Sequence, residues 1–262
     1  MNIMQLLALG SGIAVTITGL ILSTDKPIMF LDGTSLFIVI GGTLASAAIS
    51  VQIPRLLKLF KIFINRMLKG KSVDFKSVIT EVIKLSDAFY AKKNLQEYKN
   101  NINDPFILEA VELYIDELVD DEKFIKMLKD RVNNMKKALM MDVNRFKNIG
   151  KYPPAFGMMG TTMGMVVLLS GLGGKDAMKT MGPAMAVCLI TTLYGVIIAN
   201  VLIVPISENI EDSIMEIHLK NQIIAEGFSL ILQKTPPPVL AEELNSFLEV
   251  KDRLDWKEVL GT

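Results

Sequence analysis

The sequence has very little cysteine and histidine, two of the side chains from which catalytic and metal sites are often built. It contains one cysteine, Cys188, and one histidine, His218, in 262 residues. A single cysteine excludes an intramolecular disulfide framework and a multi-cysteine metal site. A single histidine with no Ser-His-Asp motif around it argues against zinc, haem or triad chemistry. The 28 basic and 28 acidic residues cancel, which leaves no electrostatic basis for nucleic-acid binding. We therefore expect no enzyme activity, no metal, no cofactor and no nucleic-acid partner.

Hydrophobic residues are abundant, and four long runs contain no charged residue. Half of the residues are hydrophobic, and the mean hydropathy is +0.39. The uncharged runs, which also lack histidine, are Ile3–Ser23, Thr34–Ile53, Ala155–Gly174 and Gly182–Ile206. Each is close to the ~20 residues that a helix needs to cross the hydrocarbon core of a bilayer. The first run has no basic segment before it and no clear cleavage site, so it is interpreted as a retained span. The sequence predicts four transmembrane helices.

The distribution of lysine and arginine predicts the orientation. Residues 54–153 hold 20 of the 28 basic residues and residues 207–262 hold 5, whereas the two short connections hold 3. By the positive-inside rule, the two richer segments and both termini are cytoplasmic. We expect spans one and two in residues 1–53, a cytoplasmic helical domain in 54–153, spans three and four in 154–206, and a cytoplasmic helix and tail in 207–262.

The cytoplasmic segments have helical periodicity. Apolar residues recur at helical spacing in 75–93, 104–118, 120–148 and 207–234. Asp104 precedes Pro105 in the pattern of a helix cap followed by a proline at the first helical position. No strand pattern is evident. The predicted fold is an all-α integral membrane protein whose third and fourth spans extend into the cytoplasm.

A basic amphipathic segment follows span two. Its basic residues recur at helical spacing, with leucine, phenylalanine and methionine on the other face; they are Arg55, Lys58, Lys61, Arg66 and Lys69. This pattern predicts a helix that lies on membrane lipid at the inner surface. An ordinary solvent-facing helix that packs on its neighbours is the alternative.

No ionisable group marks an ion path within the four uncharged runs. A partner must therefore supply any carboxylate, and this chain offers hydroxyls, carbonyls and shape. Thr161, Thr191 and Thr192 lie within the third and fourth spans, where their hydroxyls either ligate a cation or bond the preceding helical turn. Gly160 and Gly164 have the spacing that lets another helix approach closely.

Several short motifs follow one another in a specific order. They are FLDGTS at 30–35, DPF at 104–106, PAFGMMGT at 154–161, GPAMAV at 182–187 and TTLYG at 191–195. Together with the order of spans, these motifs resemble the MotA/PomA flagellar stator proteins over nearly the whole chain. No single motif is diagnostic, but the combination is specific.

The resemblance implies an assembly in the bacterial inner membrane. In this family a pentamer surrounds a dimer of MotB-like subunits, whose single span carries an aspartate. Passage of protons or sodium ions is thought to turn the pentamer, whose cytoplasmic domain pushes on the rotor protein FliG. The related TolQ/ExbB proteins, which energise outer-membrane processes and usually have three spans, are one alternative. A passive membrane scaffold is another.

The resemblance also implies functional residues. Pro154 and Pro205 match the functional prolines of the family; each removes a backbone donor and interrupts a helix at a membrane boundary, or merely fixes a bend. Thr161 and Thr192 match positions that line the ion path in sodium-driven relatives, which favours sodium, although proton-driven relatives share the first threonine. Asp32 matches an acidic residue at the external mouth that attracts cations, or serves as a residue of a helix N-terminal turn.

For rotor contact, the family uses a basic residue and an acidic residue eight positions later. Here the corresponding segment is shorter and offers Lys92, Lys93 and Glu97. Lysine lacks the bidentate fork of arginine and acts as a point charge. These residues are candidates for the rotor contact, and a solvated charged surface is the alternative.

Overall fold

The computed structural model describes residues 3–69, 73–90, 95–116, 119–173, 177–248, 250, 253–255 and 257, and the regular structure in these ranges is helical. The α-helices are α1 (Ile3–Leu22), α2 (Gly33–Leu36), α3 (Gly42–Ser50), α4 (Ile53–Lys69), α5 (Phe75–Tyr90), α6 (Leu95–Tyr98), α7 (Pro105–Ile115), α8 (Asp121–Ile149), α9 (Tyr152–Gly171), α10 (Ala177–Ile197), α11 (Val204–Leu232) and α12 (Pro237–Asn245). The all-helical prediction is thereby confirmed for the described residues.

The chain divides into two compact units. The first, called the apolar unit, comprises Met1–Gly70 and Met140–Ser213. The second, called the polar unit, comprises Lys71–Leu139 and Ile214–Thr262. Two of the three boundaries between the units fall inside a long helix, α8 or α11, so each of these helices contributes residues to both units.

Three described segments are long and apolar enough to cross a membrane. They are Pro27–Ser50, Asp121–Gly171 and Met178–Leu232. These segments overlap the predicted second and third spans over most of their length and contain the whole of the predicted fourth span. The predicted first span corresponds to α1, a helix of 20 residues, of which Gly10–Leu22 is apolar but shorter than the other three segments. A first span therefore stays a prediction.

The helical structure is interrupted in different ways near the two candidate prolines. Before span three the break lies at Gly150 and Lys151, whose N–H groups bond the carbonyls of Lys147 and Asn148 in two turns. Pro154 lies in the first turn of α9, where its missing N–H leaves no intrahelical bond unmade.

At Pro205 the chain stays helical. A π-helical segment, Ile198–Ile203, joins α10 to α11 immediately before this proline. Because proline has no N–H, the carbonyl four residues earlier cannot make its α-helical bond. The wider π turn accommodates this loss, so the interruption here is a local widening rather than a break.

The polar unit has its own hydrophobic core. Phe124 of α8 and Phe228 of α11 are fully buried and meet edge to face, with ring centroids 5.8 Å apart. The helix α11 ends at Leu232, before the proline run 236–238, and this run begins α12, since proline is favoured at the first helical position. Leu240 and Leu244 of α12 are fully buried in this core, and they explain why the predicted tail folds into a helix.

Asp104 begins α7 as predicted. Its Oδ1 accepts hydrogen bonds from the N–H groups of Phe106 at 2.8 Å and Ile107 at 3.3 Å. Its Oδ2 forms an ion pair with Lys220 of α11, and both side chains are largely buried. The helix cap therefore also links α7 to α11.

Candidate functional site

Small residues bring α9 and α10 into close contact. A Cβ atom on Gly160 would lie 2.5 Å from Thr191 Cγ2, and one on Gly164 would lie 2.6 Å from Cys188 Sγ. On α10, a Cβ atom on Gly195 would lie 2.5 Å from the Pro153 carbonyl oxygen. The predicted close approach at Gly160 and Gly164 therefore serves the packing of α10 from the same chain.

This close approach brings two threonine hydroxyls together. The Oγ1 atoms of Thr161 and Thr192 lie 2.6 Å apart, so one donates to the other. Thr161 Oγ1 also lies 2.9 Å from the Cys188 carbonyl oxygen and 3.1 Å from that of Gly157. Thr192 Oγ1 lies 3.3 Å from the Cys188 oxygen. Hydroxyl and carbonyl oxygens from two helices thus converge at one point, which we call the hydroxyl pair.

The hydroxyl pair lies at an accessible apolar face. Thr192 is exposed and Thr161 is half-buried. Large apolar side chains on the same two helices are exposed beside it, including Met158, Met185 and Leu189. A second helix that covered this face would meet the two hydroxyls directly.

Thr191 occupies a different environment from the hydroxyl pair. It is fully buried, and its Oγ1 donates within its own helix, to the Val187 carbonyl at 2.7 Å or the Cys188 carbonyl at 3.2 Å. Its side chain packs against Gly160. Of the three candidate threonines, the structure brings together Thr161 and Thr192 and directs the Thr191 hydroxyl to the backbone.

Asp32 caps the short helix α2. Its Oδ2 accepts a hydrogen bond from the Ser35 N–H at 2.6 Å. The Asp32 N–H donates to the Tyr194 hydroxyl oxygen at 3.2 Å, and that hydroxyl donates to the Phe30 carbonyl. Asp32 is thus connected to α10 rather than isolated in a loop.

The two candidate prolines lie on the apolar unit in different contacts. Pro154 adjoins Gly195, since a Cβ atom there would lie 3.1 Å from Pro154 Cα. Pro205 lies in the first turn of α11 beside the π-helical segment. Pro154 is therefore in contact with α10 close to the hydroxyl pair, whereas Pro205 lies farther along the chain.

The rotor-contact candidates fall largely outside the described residues. Lys92 and Lys93 lie outside the described residues. The backbone of Glu97 belongs to α6, and its side chain is outside the description. Within the described part of the chain, no group of three or more His, Cys, Asp or Glu residues could hold a metal ion.

Three polar side chains of the apolar unit that bear on the structure were not among the predicted site residues. Tyr194 belongs to a predicted motif, but its bonds join residues more than 160 positions apart and leave no local signal. Ser35 and Thr43 of span two are buried, and their hydroxyls have no hydrogen-bond partner among the described residues. Their occurrence as polar residues within an apolar run could have drawn attention to them, but the sequence does not indicate whether such a side chain faces the interior or the surface.

The chain is similar to known proteins over its whole length. A sequence model of the MotA/TolQ/ExbB proton channel family matches residues 98–223. Motility protein A of Borreliella burgdorferi is 30% identical, with 100% of this chain and 99% of that protein covered. Chemotaxis protein PomA of Vibrio alginolyticus is 29% identical, with 95% and 96% covered.

The fold is that of a solved stator structure. The structure of C. jejuni MotAB superposes with a TM-score of 0.83 at 19% identity, and 97% of this chain and 99% of that chain are covered. The apolar helices and these similarities identify an inner-membrane protein. The chain belongs to the MotA/PomA family of flagellar stator subunits.

Proposed function

We propose that this stator subunit forms a pentamer around a dimer of a MotB-like partner, and that the assembly couples passage of protons or sodium ions to torque on the rotor protein FliG. The observation that carries the proposal is the hydroxyl pair on an accessible apolar face of a chain whose uncharged runs contain no carboxylate. Neither an enzymatic step nor a bound cofactor is part of this proposal.

The partner supplies the charge in this mechanism. An unpaired cation in a low-dielectric site is costly, and hydroxyl and carbonyl oxygens alone offset only part of that cost. The remaining cost is offset by a carboxylate on a partner helix that covers the face of the hydroxyl pair. The related C. jejuni chain was solved as MotAB, which supports such a partner.

The proposed coupling ion is sodium, with protons as the alternative. Oxygen atoms of hydroxyls and carbonyls replace the hydration shell of an alkali cation. Thr161 Oγ1 has three such oxygens within 3.1 Å. Swimming speed measured against external sodium at fixed proton-motive force tests this choice, and a speed that ignores sodium would assign the role to protons.

The proposed orientation has both termini in the cytoplasm and α4 on the inner lipid surface. On α4, Ile53, Leu57 and Ile64 are 65%, 64% and 47% exposed, which is unfavourable for an apolar strip in water. Lys58 and Lys61 are also exposed and can reach anionic headgroups, whereas Arg55 pairs with Asp142 at 3.1 Å. Four spans, including α1, complete this topology.

The proposed rotor contact uses Lys92, Lys93 and Glu97. Charge reversal at each position should impair swimming and be rescued by an opposite reversal on FliG. If all three reversals leave swimming unchanged, the contact lies elsewhere on the polar unit.

Complementation tests the proposal as a whole. The chain is expressed with its single-span partner in a host that lacks its own stator genes, and swimming is measured. We expect swimming with both subunits and none when the partner's membrane aspartate is replaced by asparagine. Pro154→Ala should also reduce swimming at an unchanged level of the complex in the membrane. Unchanged motility of either variant in an assembled complex would refute the motor mechanism and favour a passive scaffold.

A further inference from the structure

The phenol of Tyr194 joins span four to the beginning of span two. Its Oη donates to the Phe30 carbonyl and accepts from the Asp32 N–H at 3.2 Å. These groups flank the change from the 3₁₀ turn Pro27–Phe30 to α2. Helix ends leave carbonyl and N–H groups without intrahelical partners, and in an apolar environment each such group is costly. One hydroxyl satisfies one group of each kind.

Asp32 is thereby held at two points. Its backbone N–H bonds Tyr194, while its Oδ2 accepts the Ser35 N–H at 2.6 Å. The other carboxylate oxygen, Oδ1, makes no hydrogen bond to the residues that the structure describes. The contacts therefore fix the position of the carboxyl group and leave one oxygen available to a cation.

The attachment point lies far along α10. Tyr194 is 17 residues beyond Ala177, the first residue of this helix, which corresponds to about 26 Å at the helical rise. Thr192 of the hydroxyl pair precedes Tyr194 by about 3 Å along the axis. The tyrosine side chain thus ties the Asp32 backbone to the segment of α10 that carries the hydroxyl pair, and not to the first turn of the helix.

We propose that Tyr194 is a positioning residue for ion entry. Its hydroxyl holds Asp32 in register with Thr161 and Thr192, so that a cation attracted by the carboxylate is delivered toward the oxygens of the hydroxyl pair. This inference rests on the proposed function. Attraction by a carboxylate in a site of low dielectric depends steeply on distance, and a loosened connection therefore weakens ion capture.

The test replaces only the hydroxyl. Tyr194→Phe keeps the aromatic ring and removes both hydrogen bonds. Tyr152→Phe is the matched control, because the Tyr152 hydroxyl of α9 makes no hydrogen bond to the described residues. Swimming speed is measured against external sodium at fixed proton-motive force and against external pH without sodium, in cells that carry the complete complex. If the wild type responds to sodium, the variants are compared in the sodium titration; if it responds to pH, they are compared in the pH titration.

We expect Tyr194→Phe to raise the half-saturating ion concentration about fivefold, because the net loss of roughly one hydrogen bond changes an equilibrium constant by about this factor. Maximal speed and the amount of complex in the membrane should stay close to wild type, and Tyr152→Phe should match the wild type in all three. In an Asp32→Asn background, Tyr194→Phe should add no further shift.

Three results would overturn the inference. The first is a half-saturating ion concentration that is unchanged in Tyr194→Phe. The second is a shift on Tyr194→Phe that is equally large in the Asp32→Asn background. The third is a lower amount of complex in the membrane for Tyr194→Phe, which would give the hydroxyl only a structural role. A wild-type pair of subunits that fails to restore swimming would instead refute the proposed function.

Discussion

Replacing Gly195 with alanine is expected to force α9 and α10 apart. The new Cβ atom would lie 2.5 Å from the Pro153 carbonyl oxygen, 3.0 Å from its carbon and 3.1 Å from Pro154 Cα. All three are backbone atoms, so no side-chain rotation relieves the contact. The carbonyl oxygen must withdraw by about 0.5 Å to reach even the 3.0 Å limit of real Cβ contacts.

The expected cost is that of overpacking a close helix contact, about 1–3 kcal/mol. A shift of this size also lengthens the 2.6 Å contact between Thr161 and Thr192. We therefore expect Gly195→Ala to lower the melting midpoint of the detergent-purified complex and to reduce swimming speed severalfold.

Gly182→Ala is the matched control for this substitution. It lies on the same helix, and a Cβ atom there meets nothing within 4 Å. Both variants gain the same intrinsic helix preference of alanine over glycine, so the difference between them isolates the clash. If Gly195→Ala melts and swims like Gly182→Ala, the close packing of α9 on α10 does not determine the geometry of the hydroxyl pair.

Two further predictions concern the polar unit. Lys220→Met leaves the buried Asp104 carboxylate without its cation. This substitution should lower the free energy of unfolding by about 2 kcal/mol. That is less than the usual loss on breaking a buried ion pair, because two backbone N–H bonds to Asp104 remain. Calorimetry of the purified chain measures the melting midpoint, and an unchanged midpoint would refute the prediction. Desolvation, followed by the nearby charge of Lys136, lowers the pKa of His218, whose Nδ1 is buried without a partner among the described residues. The unfolded chain then takes up this proton more readily than the folded chain, so stability should fall as pH drops below about 6.5. His218→Gln should remove that part of the pH dependence, and identical melting curves against pH for this variant and the wild type would contradict it.

Local signals in the sequence predicted much of the helical architecture. Asp104-Pro105 predicted the start of α7, and the helical periodicity from residue 120 predicted the start of α8, where Asp120 accepts from the Lys123 N–H at 2.8 Å. Capping depends on residues two or three positions apart, so it can be recognised in a short segment.

Features that depend on distant residues were not predictable in this way. The helix α12 forms because Leu240 and Leu244 are buried against other helices, a tertiary effect that the preceding prolines do not reveal. Which threonine hydroxyl meets another depends on the rotation of α9 and α10 about their axes. Gly160 and Gly195 set this rotation through contacts with the facing helix.

Swimming speed of three isosteric variants tests the ion-pathway claim most directly. Thr161→Val, Thr192→Val and Thr191→Val each exchange one hydroxyl for a methyl group, and speed is measured at equal amounts of assembled complex. We predict a loss of at least tenfold for Thr161→Val and Thr192→Val. Thr191→Val should remain near wild type, since its hydroxyl bonds only its own helix. Equal speeds for all three variants, or the largest loss in Thr191→Val, would contradict a pathway through the hydroxyl pair.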